Sequence, residues 1–210
     1  MENIENLRKD YSLAKLNEDS IDHDPFKQFE KWFNEALNSK LLEPNAMALA
    51  TSVDDKPSVR IVLLKGFNEK GFIFYTNYNS HKGKALQNNP HIALTFFWSE
   101  LQRQVRIEGK AEKISQEKST EYFHSRPRGS QLGAAASPQS QIITRDELEK
   151  TYSDLEKEYQ DKEIHKPEHW GGFLVIPETI EFWQGRSSRL HDRIFFRKEN
   201  GFWNFVRLAP

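Results

Sequence analysis

The sequence lacks several features by which an enzyme's chemistry is commonly recognised. It contains no cysteine, which excludes disulfide bonds, thiolate metal ligands and a cysteine nucleophile. It also has no glycine-rich nucleotide loop, no His-Glu-x-x-His zinc motif and no serine in a nucleophile elbow. No apolar run reaches the length of a signal-peptide core or a membrane-spanning helix. We therefore expect a soluble, cytoplasmic protein that does not associate with membranes.

Neither sign of charge is in excess. Thirty lysines and arginines nearly cancel thirty-one aspartates and glutamates, so no overall field favours nucleic acid, and any anion has to be bound locally. Aromatic residues are abundant by contrast, at 12% of the chain with five Trp and fifteen Phe. In so polar a chain they indicate a small core of large rings or a surface buried against a partner.

The pattern of apolar residues predicts an α+β protein that is mainly antiparallel β. Asp24 as the cap and Pro25 as the first residue predict a helix with one apolar face. Alternating segments then predict a sheet of roughly six to eight strands, with strands at 47–53, 58–65, 72–76, 91–98, 102–112, 172–176, 179–183 and 202–208. We expect one domain at residues 24–210, preceded by an N-terminal arm or lid at residues 1–23.

Hydroxyl residues predict where the shorter helices begin. Ser80 is expected to cap a helix that runs to about residue 88, and Ser115 a helix that runs through Tyr122. Ser130 is expected to cap the element that follows it, and residues 134–141 read as a small, polar loop. A capping box at 144–147 predicts a further helix that serves as scaffold.

The stretch from Phe182 to Arg193 is predicted to be strand, turn and strand. If residues 189–193 are extended, the period of two places Arg189, His191 and Arg193 on one face. Three potential cations on one face repel one another unless the face is well solvated or meets an anion. An anion site and a charged, solvated strand edge both remain open on this pattern.

Four further groupings combine cations with neutral donors, at residues 60–65, 75–84, 104 and 122–140. A flat strand would aim Arg60 and Lys65 to opposite faces, and the helix at Ser80 suits a phosphate or is an ordinary surface helix. The segment 122–140 is likewise either a phosphate clamp or a surface loop. Few carboxylates accompany these groups. Such a composition suits phosphorylated ligands and a reaction in which a cofactor performs the difficult chemical step.

Taken in order, seven motifs resemble the pyridoxamine/pyridoxine 5′-phosphate oxidase family: Arg60-Ile-Val-Leu-Leu-Lys65, Tyr75-Thr76, Arg103-Gln104-Val105, Tyr122-Phe-His-Ser-Arg-Pro-Arg128 with Ser130, Gln139-Ser140, Trp183-Gln-Gly with Arg189-Leu-His-Asp-Arg193, and Arg207-Leu-Ala-Pro210. The resemblance spans nearly the whole chain. It implies a split β-barrel FMN-binding fold with peripheral helices and a homodimer with FMN at the subunit interface. It further implies that dioxygen oxidises either phosphorylated B6 vitamer to pyridoxal 5′-phosphate, with release of hydrogen peroxide and, from the amine, ammonia.

The resemblance also assigns roles to individual residues and implies no metal site. Arg189 and His191 would line the substrate's pyridine ring as the catalytic pair, and Arg8 and Tyr11 would belong to a segment that closes over the substrate. The substrate phosphate would be held by Tyr122, Arg126 and Ser130, with Lys65 serving both ligands. The flavin contacts would be Arg60, Lys65, Tyr75, Thr76, His81, Lys82, Gln104, Gln139, Ser140, Trp183 and Arg193.

One position departs from the family pattern, since His81 stands where the family usually has arginine. A histidine is only partly charged near neutral pH, so we expect FMN to be held less tightly than by an arginine, and more tightly on acidification. Two alternative functions remain open: a nicotinamide-dependent flavin reductase of the same fold, and a non-catalytic carrier of FMN or pyridoxal phosphate. Binding of single-stranded nucleic acid is a distant third.

Overall fold

A computed structural model describes residues 3–7 and 9–210, and within these ranges it contains one nine-stranded antiparallel sheet. The strand order is β2-β1-β5-β6-β7-β4-β3, while β8 pairs with β7 and β9 with β8. The antiparallel prediction is confirmed, with more strands than expected. The strands are β1 Ala46–Val53, β2 Lys56–Leu63, β3 Gly66–Asn68, β4 Gly71–Asn77, β5 His91–Trp98, β6 Arg103–Lys113, β7 Trp170–Gln184, β8 Asp192–Glu199 and β9 Phe202–Arg207.

The strand β7 organises the sheet because it pairs with β4, β6 and β8. The sequence predicts two strands here, yet the chain continues through Pro177 and Glu178 as a single strand of 15 residues. A bulge between Glu108 and Gly109 of β6 absorbs the irregularity. A Cβ on Gly109 would lie 2.1 Å from the carbonyl oxygen of Ile176, so only glycine allows the two strands to approach this closely.

Five α-helices lie around the sheet in the described part of the chain: α1 Pro25–Leu37, α2 His81–Asn88, α3 Gln116–Ser125, α4 Arg128–Ala136 and α5 Arg145–Glu158. The predicted caps Asp24, Ser80 and Ser115 each accept a hydrogen bond from a backbone N–H of the first turn, and the capping box of Thr144 and Glu147 is formed. No helix in the described residues has the length and apolarity that crossing a membrane requires.

The apolar face of α1 covers the core of the barrel. Phe29 is fully buried, and its ring centroid lies 4.9 Å from that of Phe72 and 5.2 Å from that of Phe96. Leu16 and Ile21, from the predicted arm, are buried in the same core. The second half of the predicted arm, residues 1–23, therefore packs against the core of the domain.

Two predictions for the segment around α4 are wrong. Ser130 is not a cap but the third residue of α4, whose N-cap is Pro127, and Ser130 donates its backbone N–H to the carbonyl oxygen of Pro127. The predicted loop begins at Ser137, because three consecutive alanines, among the best helix formers, extend α4 to Ala136. The hydroxyl of Ser130 is thus presented from the first helical turn.

The prediction that Arg189, His191 and Arg193 share one face of a strand is also wrong. Ser187–Arg189 form a single 3-10 turn, and β8 begins only at Asp192. Ser188 and Arg189 both have left-handed backbones, with φ of 55° and 60°, so the chain curls where an extended strand would continue. The period of two therefore applies from residue 192 onward, where Asp192 and Ile194 are buried.

Candidate active site

A cavity of about 520 Å³ opens between β2, β4 and α4. Its wall combines the apolar residues Ile61, Leu63 and Ala134 with many of the residues predicted to bind phosphorylated ligands. Those predicted residues are Lys65, Tyr75, Thr76, Lys82, Tyr122, Arg126, Ser130 and Gln139. Segments far apart in sequence are thus brought to one site, as the resemblance implies.

Arg126 supplies an unneutralised cation to this cavity. Its guanidinium carbon lies 4.8 Å from the ring centroid of Trp170 and 5.8 Å from that of Phe123. Within the described residues its Nη1 is buried without a hydrogen-bond partner, and burial lowers the pKa of Arg126, an effect that Tyr122 partly offsets. An arginine remains charged even so, and a buried, unpaired N–H is costly. An anionic oxygen is the partner that this geometry fits.

Two stacked phenols stand beside this guanidinium. The rings of Tyr75 and Tyr122 stack at 3.9 Å and 21°, and the Trp170 ring lies nearly parallel to both, at 5.4 Å from Tyr75 and 6.2 Å from Tyr122. Burial, together with the neighbouring Tyr122, raises the pKa of Tyr75 to about 12. The Tyr75 hydroxyl therefore stays protonated at neutral pH and is available as a hydrogen-bond donor.

Lys82 supplies a second cation, at the beginning of α2. Its Nζ donates to Thr76 Oγ1 and to Gln139 Oε1, each at 3.2 Å. Burial and the positive charge of Arg60 lower the pKa of Lys82. In the part of the chain that the structure describes, neither Lys82 nor Arg126 takes part in an ion pair. Lys65 lines the same cavity, which thus has three cationic groups and suits ligands that carry more than one anionic group.

Arg60, on β2, is close enough to Lys82 to affect its pKa but does not line the cavity. Its Nη1 donates to Thr51 Oγ1 at 2.8 Å and to two backbone carbonyl oxygens, of Leu49 and Ser58. Burial lowers the pKa of Arg60. His81 is the exposed first residue of α2, and Ser140, with φ of 72°, follows Gln139 in the loop after α4.

A second cavity, of about 420 Å³, contains the predicted catalytic pair Arg189 and His191 together with Tyr11 and Arg186. The imidazole of His191 lies 4.6 Å from the Trp183 ring, and its Nδ1 accepts a hydrogen bond of 3.1 Å from the backbone N–H of Arg186. That bond leaves the imidazole proton on Nε2. Burial first, and then the charge of Arg189, lower the pKa of His191, while Asp192 opposes them. Neutral histidine is therefore the favoured form.

Sequence reasoning missed the role of Asp192, which lies behind this second cavity. Its carboxylate is almost fully buried and accepts hydrogen bonds from Arg186 Nη1, Arg207 Nη1 and the backbone N–H of Leu16. Burial raises the pKa of Asp192, but the bonds from Leu16, Arg186 and Arg207 outweigh it, so that the pKa is lowered. The alternation with Ile194 was the available signal, since it placed an acid on the buried face.

The other predicted flavin contacts lie away from the first cavity. Arg193 donates from Nε and Nη2 to the buried carboxylate of Glu181, at 2.8 and 3.0 Å, and from Nη1 to the carbonyl oxygen of Ala209. Gln104 lies opposite Trp183 in the pairing of β6 with β7. Among the described residues, eight of those predicted for one site line the first cavity, and Tyr11, Arg189 and His191 line the second. The remaining six line neither: Arg60, His81, Gln104, Ser140, Trp183 and Arg193. Arg8 lies outside the described residues.

Comparison with known proteins identifies two regions of the chain. The family described as pyridoxamine 5′-phosphate oxidase matches residues 33–159, and the one described as pyridoxine 5′-phosphate oxidase C-terminal dimerisation region matches residues 170–210. A protein from Trichormus variabilis named pyridoxine/pyridoxamine 5′-phosphate oxidase is 54% identical, over 99% of this chain and 98% of its own. Proteins of the same name from Salinibacter ruber (53%, covering 100% of both chains) and Leptospira interrogans (55%, covering 99% and 98%) are equally similar.

Solved structures agree with this likeness. PhzG from Burkholderia lata, in complex with tetrahydrophenazine-1-carboxylic acid, has a TM-score of 0.89 at 26% identity, over 95% of this chain and all of its own. A pyridoxamine 5′-phosphate oxidase-related, FMN-binding protein from Nostoc punctiforme has a TM-score of 0.70 at 17% identity, over 87% and 97%. The second likeness concerns the fold only. Together they confirm the predicted split-barrel fold.

Proposed function

Since the chain belongs to the pyridoxamine 5′-phosphate oxidase family, we propose that it oxidises pyridoxine 5′-phosphate and pyridoxamine 5′-phosphate to pyridoxal 5′-phosphate in vitamin B6 salvage. The observation that carries the proposal is Nη1 of Arg126, which within the described residues is buried without a partner in a cavity that Lys65 and Lys82 also line. Such a cavity suits two phosphates, one from each ligand. The cytoplasmic location predicted from the sequence is part of this proposal.

FMN is the cofactor, and when bound it supplies a flavin that accepts a hydride from the substrate's C4′ carbon and passes both electrons to dioxygen. The residues near Lys82 fit its phosphate. Lys82, Arg60 and the free N–H groups at the beginning of α2 all favour an anion there. Thr76 and Gln139, which bind Lys82, line the cavity, as do Tyr75 and Lys65. His81 and Ser140 do not line it, but each adjoins a lining residue, Lys82 and Gln139.

The substrate phosphate fits at Arg126, with Tyr122 and Ser130 as additional donors. A phosphate oxygen would provide Arg126 Nη1 with the partner that it lacks. Tyr122, held by its stack with Tyr75, and Ser130, from the first turn of α4, approach from two sides. These residues act by positioning, because a substrate held at its phosphate keeps its ring in register with the flavin.

The pyridine ring is assigned to Arg189 and His191. Arg189 positions the ring and stabilises negative charge that develops on it during oxidation. His191 presents Nε2–H as a hydrogen-bond donor, because its Nδ1 accepts from Arg186. Tyr11, and with it Arg8 of the same segment, is assigned to covering the bound substrate.

The C-terminal region is a dimerisation region, which supports a homodimer. We infer that FMN lies at the subunit interface, because the predicted flavin contacts do not all line one cavity of the chain. Gln104, Trp183, Arg193, Arg189 and His191 of one subunit would then complete the phosphate-binding cavity of the other. The edge strand β2 supports this arrangement, since Val59 and Ile61, 65% and 66% exposed, offer an apolar surface at the rim of that cavity.

An absorption spectrum of the purified protein tests the proposal, recorded before and after anaerobic addition of pyridoxine 5′-phosphate. We expect flavin bands that bleach on addition and return when air is admitted, with release of peroxide. Flavin bands that stay unchanged would indicate a carrier, and bleaching by NADH or NADPH in place of the vitamer would indicate a flavin reductase. A colourless protein that FMN does not reconstitute would rule the oxidase out.

A further inference from the structure

Gln102 fastens the N-terminal segment to the body of the protein. Its side-chain Oε1 accepts two hydrogen bonds, from the backbone N–H of Ser12 at 2.9 Å and of Leu13 at 3.2 Å. The two partners are about 90 residues away in sequence, so this contact belongs to the tertiary structure. One carbonyl oxygen with two lone pairs thus satisfies two consecutive backbone donors.

The backbone of Gln102 is itself held in place. It is left-handed, with φ of 53° and ψ of 41°, an uncommon conformation for a residue that is not glycine. Its carbonyl oxygen accepts from the backbone N–H of Gly185 at 2.8 Å and from Gln184 Nε2 at 3.2 Å. Gln102 therefore connects the beginning of β6, the end of β7 and the N-terminal segment.

The contact of Gln102 with Ser12 and Leu13 positions Tyr11, the residue directly before Ser12. The Tyr11 ring packs against Gly185, where an added Cβ would lie only 2.6 Å from Tyr11 Cδ2. The same ring lies 5.9 Å from the Trp183 ring, edge-on, and 6.0 Å from the His191 imidazole. Tyr11 thus forms one wall of the cavity that contains Arg189 and His191.

We propose that Gln102 is a positioning residue of the oxidase, which acts through Tyr11 to keep the substrate-ring cavity covered. The docking of the segment is inferred from the hydrogen bonds of Gln102 alone. Its effect on kinetics rests on the proposed function. It adds to the lid implied by the family resemblance a specific contact that holds Tyr11 at the cavity. The acceptor oxygen of Gln102 is the group that matters, since both bonds end on it.

A second anchor lies further along the segment and makes the effect of Gln102 local. Leu16 donates its backbone N–H to Asp192 Oδ2 at 3.0 Å, and Arg207 Nη2 donates to the carbonyl oxygen of Leu16 at 2.9 Å. Loss of the Gln102 contact should therefore release the stretch before Leu16 while the rest of the segment remains docked.

Two substitutions separate the acceptor from the bulk of the side chain. Gln102→Leu has a similar volume but no acceptor, whereas Gln102→Glu keeps two acceptor oxygens, and both are unbranched at Cβ, so the left-handed backbone is equally strained in each. In the FMN-loaded protein we expect faster hydrogen exchange at Ser12 and Leu13 in Gln102→Leu and exchange close to wild type in Gln102→Glu. The Michaelis constant for pyridoxamine 5′-phosphate should rise roughly tenfold in Gln102→Leu, with turnover nearly unchanged.

A double-mutant cycle with Tyr11→Ala tests whether Gln102 acts through Tyr11. We expect the double variant to be no worse than Tyr11→Ala, because the contact has nothing left to position. Additive losses, equal losses in Gln102→Leu and Gln102→Glu, or faster exchange without a kinetic change would each overturn the inference.

If Gln102→Leu does not fold, Gln102→Asn replaces it, since asparagine tolerates the left-handed backbone and its acceptor oxygen is one methylene closer to the backbone. Exchange is measurable without any oxidase activity, so failure of the proposed function would be seen separately.

Discussion

The guanidinium of Arg126 lies over the ring of Trp170, 4.8 Å from the ring centroid. A partly buried arginine ordinarily pairs with a carboxylate instead. An aromatic face attracts the cation without occupying its N–H groups. The consequence is a preorganised donor whose Nη1 is, within the described residues, still free to bind an anion. This relationship underlies the first prediction.

Arg126→Met should weaken binding of phosphorylated substrate without destabilising the fold. Charge-assisted hydrogen bonds contribute about 1.5–3 kcal/mol, so we expect a Michaelis constant raised by roughly 10- to 100-fold, with turnover less affected. The melting temperature should not fall, because the substitution removes a partly buried charge that has no counter-ion within the described residues. Steady-state kinetics and thermal unfolding measure both effects. Arg145→Met, at an exposed helix position, is the control; an equal kinetic loss there would contradict the assignment.

Arg189→Ala should lower turnover far more than flavin content. Removal of one donor aimed at developing charge typically costs on the order of 10²-fold in turnover. The flavin phosphate is assigned to Lys82 and Arg60, so we expect the ratio of flavin to protein absorbance to stay close to wild type. Loss of flavin with normal turnover per bound flavin would reverse the roles of these two groups of residues.

The activity should depend on a histidine that resists protonation. Burial and the charge of Arg189 lower the pKa of His191, so the acidic limb of kcat/KM assigned to it should lie below the ordinary value of about 6.5. In Arg189→Leu one of these two causes is gone, and the limb should shift to higher pH. The pH profile of kcat/KM measures this, with His191→Asn as the variant that should lack the limb. A limb that persists in His191→Asn belongs to another group.

The anchor between Glu18 and Arg207 should make stability sensitive to acid. Both carboxylate oxygens of Glu18 accept from Arg207, and this contact lowers the pKa of Glu18 from 4.5 to about 2. A lowered pKa contributes stability that is present above pH 4.5 and is lost as the pH falls toward 2. Wild type should therefore be more stable than Glu18→Gln near neutral pH, and the difference should shrink between pH 4.5 and 2. Urea unfolding across this range checks it; a constant difference would exclude the linkage.

His81→Arg should tighten FMN binding. His81 is exposed at the first turn of α2, where an arginine would add a permanent positive charge close to the assigned phosphate position. We expect a dissociation constant several-fold lower, a difference that narrows with added salt. Fluorescence titration of FMN at low and high salt measures both. Equal affinities of the two proteins at low salt would show that residue 81 does not act on the FMN phosphate.

Local signals in the sequence predicted the helix beginnings well. Asp24, Ser80, Ser115 and Thr144 act within one turn of their own backbone, so no distant contact was needed to identify them. Ser130 was misjudged, although it has the same chemistry, because α4 already begins at Arg128, after the N-cap Pro127. A hydroxyl indicates a helix beginning nearby, but the neighbouring residues decide which position it takes.

Extended segments were less predictable at their ends. The alternation of inward and outward residues holds in β8 from Asp192 onward. It fails just before this residue, because Ser188 and Arg189 have left-handed backbones. A period of two assumes that every residue is extended, and a single left-handed residue already breaks it. The same reasoning missed Gln102, whose function lies in contacts with residues about 90 positions away.

The sequence by itself determined the class of fold, the capped helices and the chemical character of the ligands, because these depend on local propensity and on which side chains are present. Only the tertiary structure decided how those side chains are grouped. It brought Arg126 to Trp170 and Tyr75 to Tyr122, buried Asp192 against the N-terminal segment, and placed only part of the predicted site residues in either of two cavities. Each of these relationships depends on strand order and register, which are set by packing over the whole sheet and leave no mark on any single stretch of the chain.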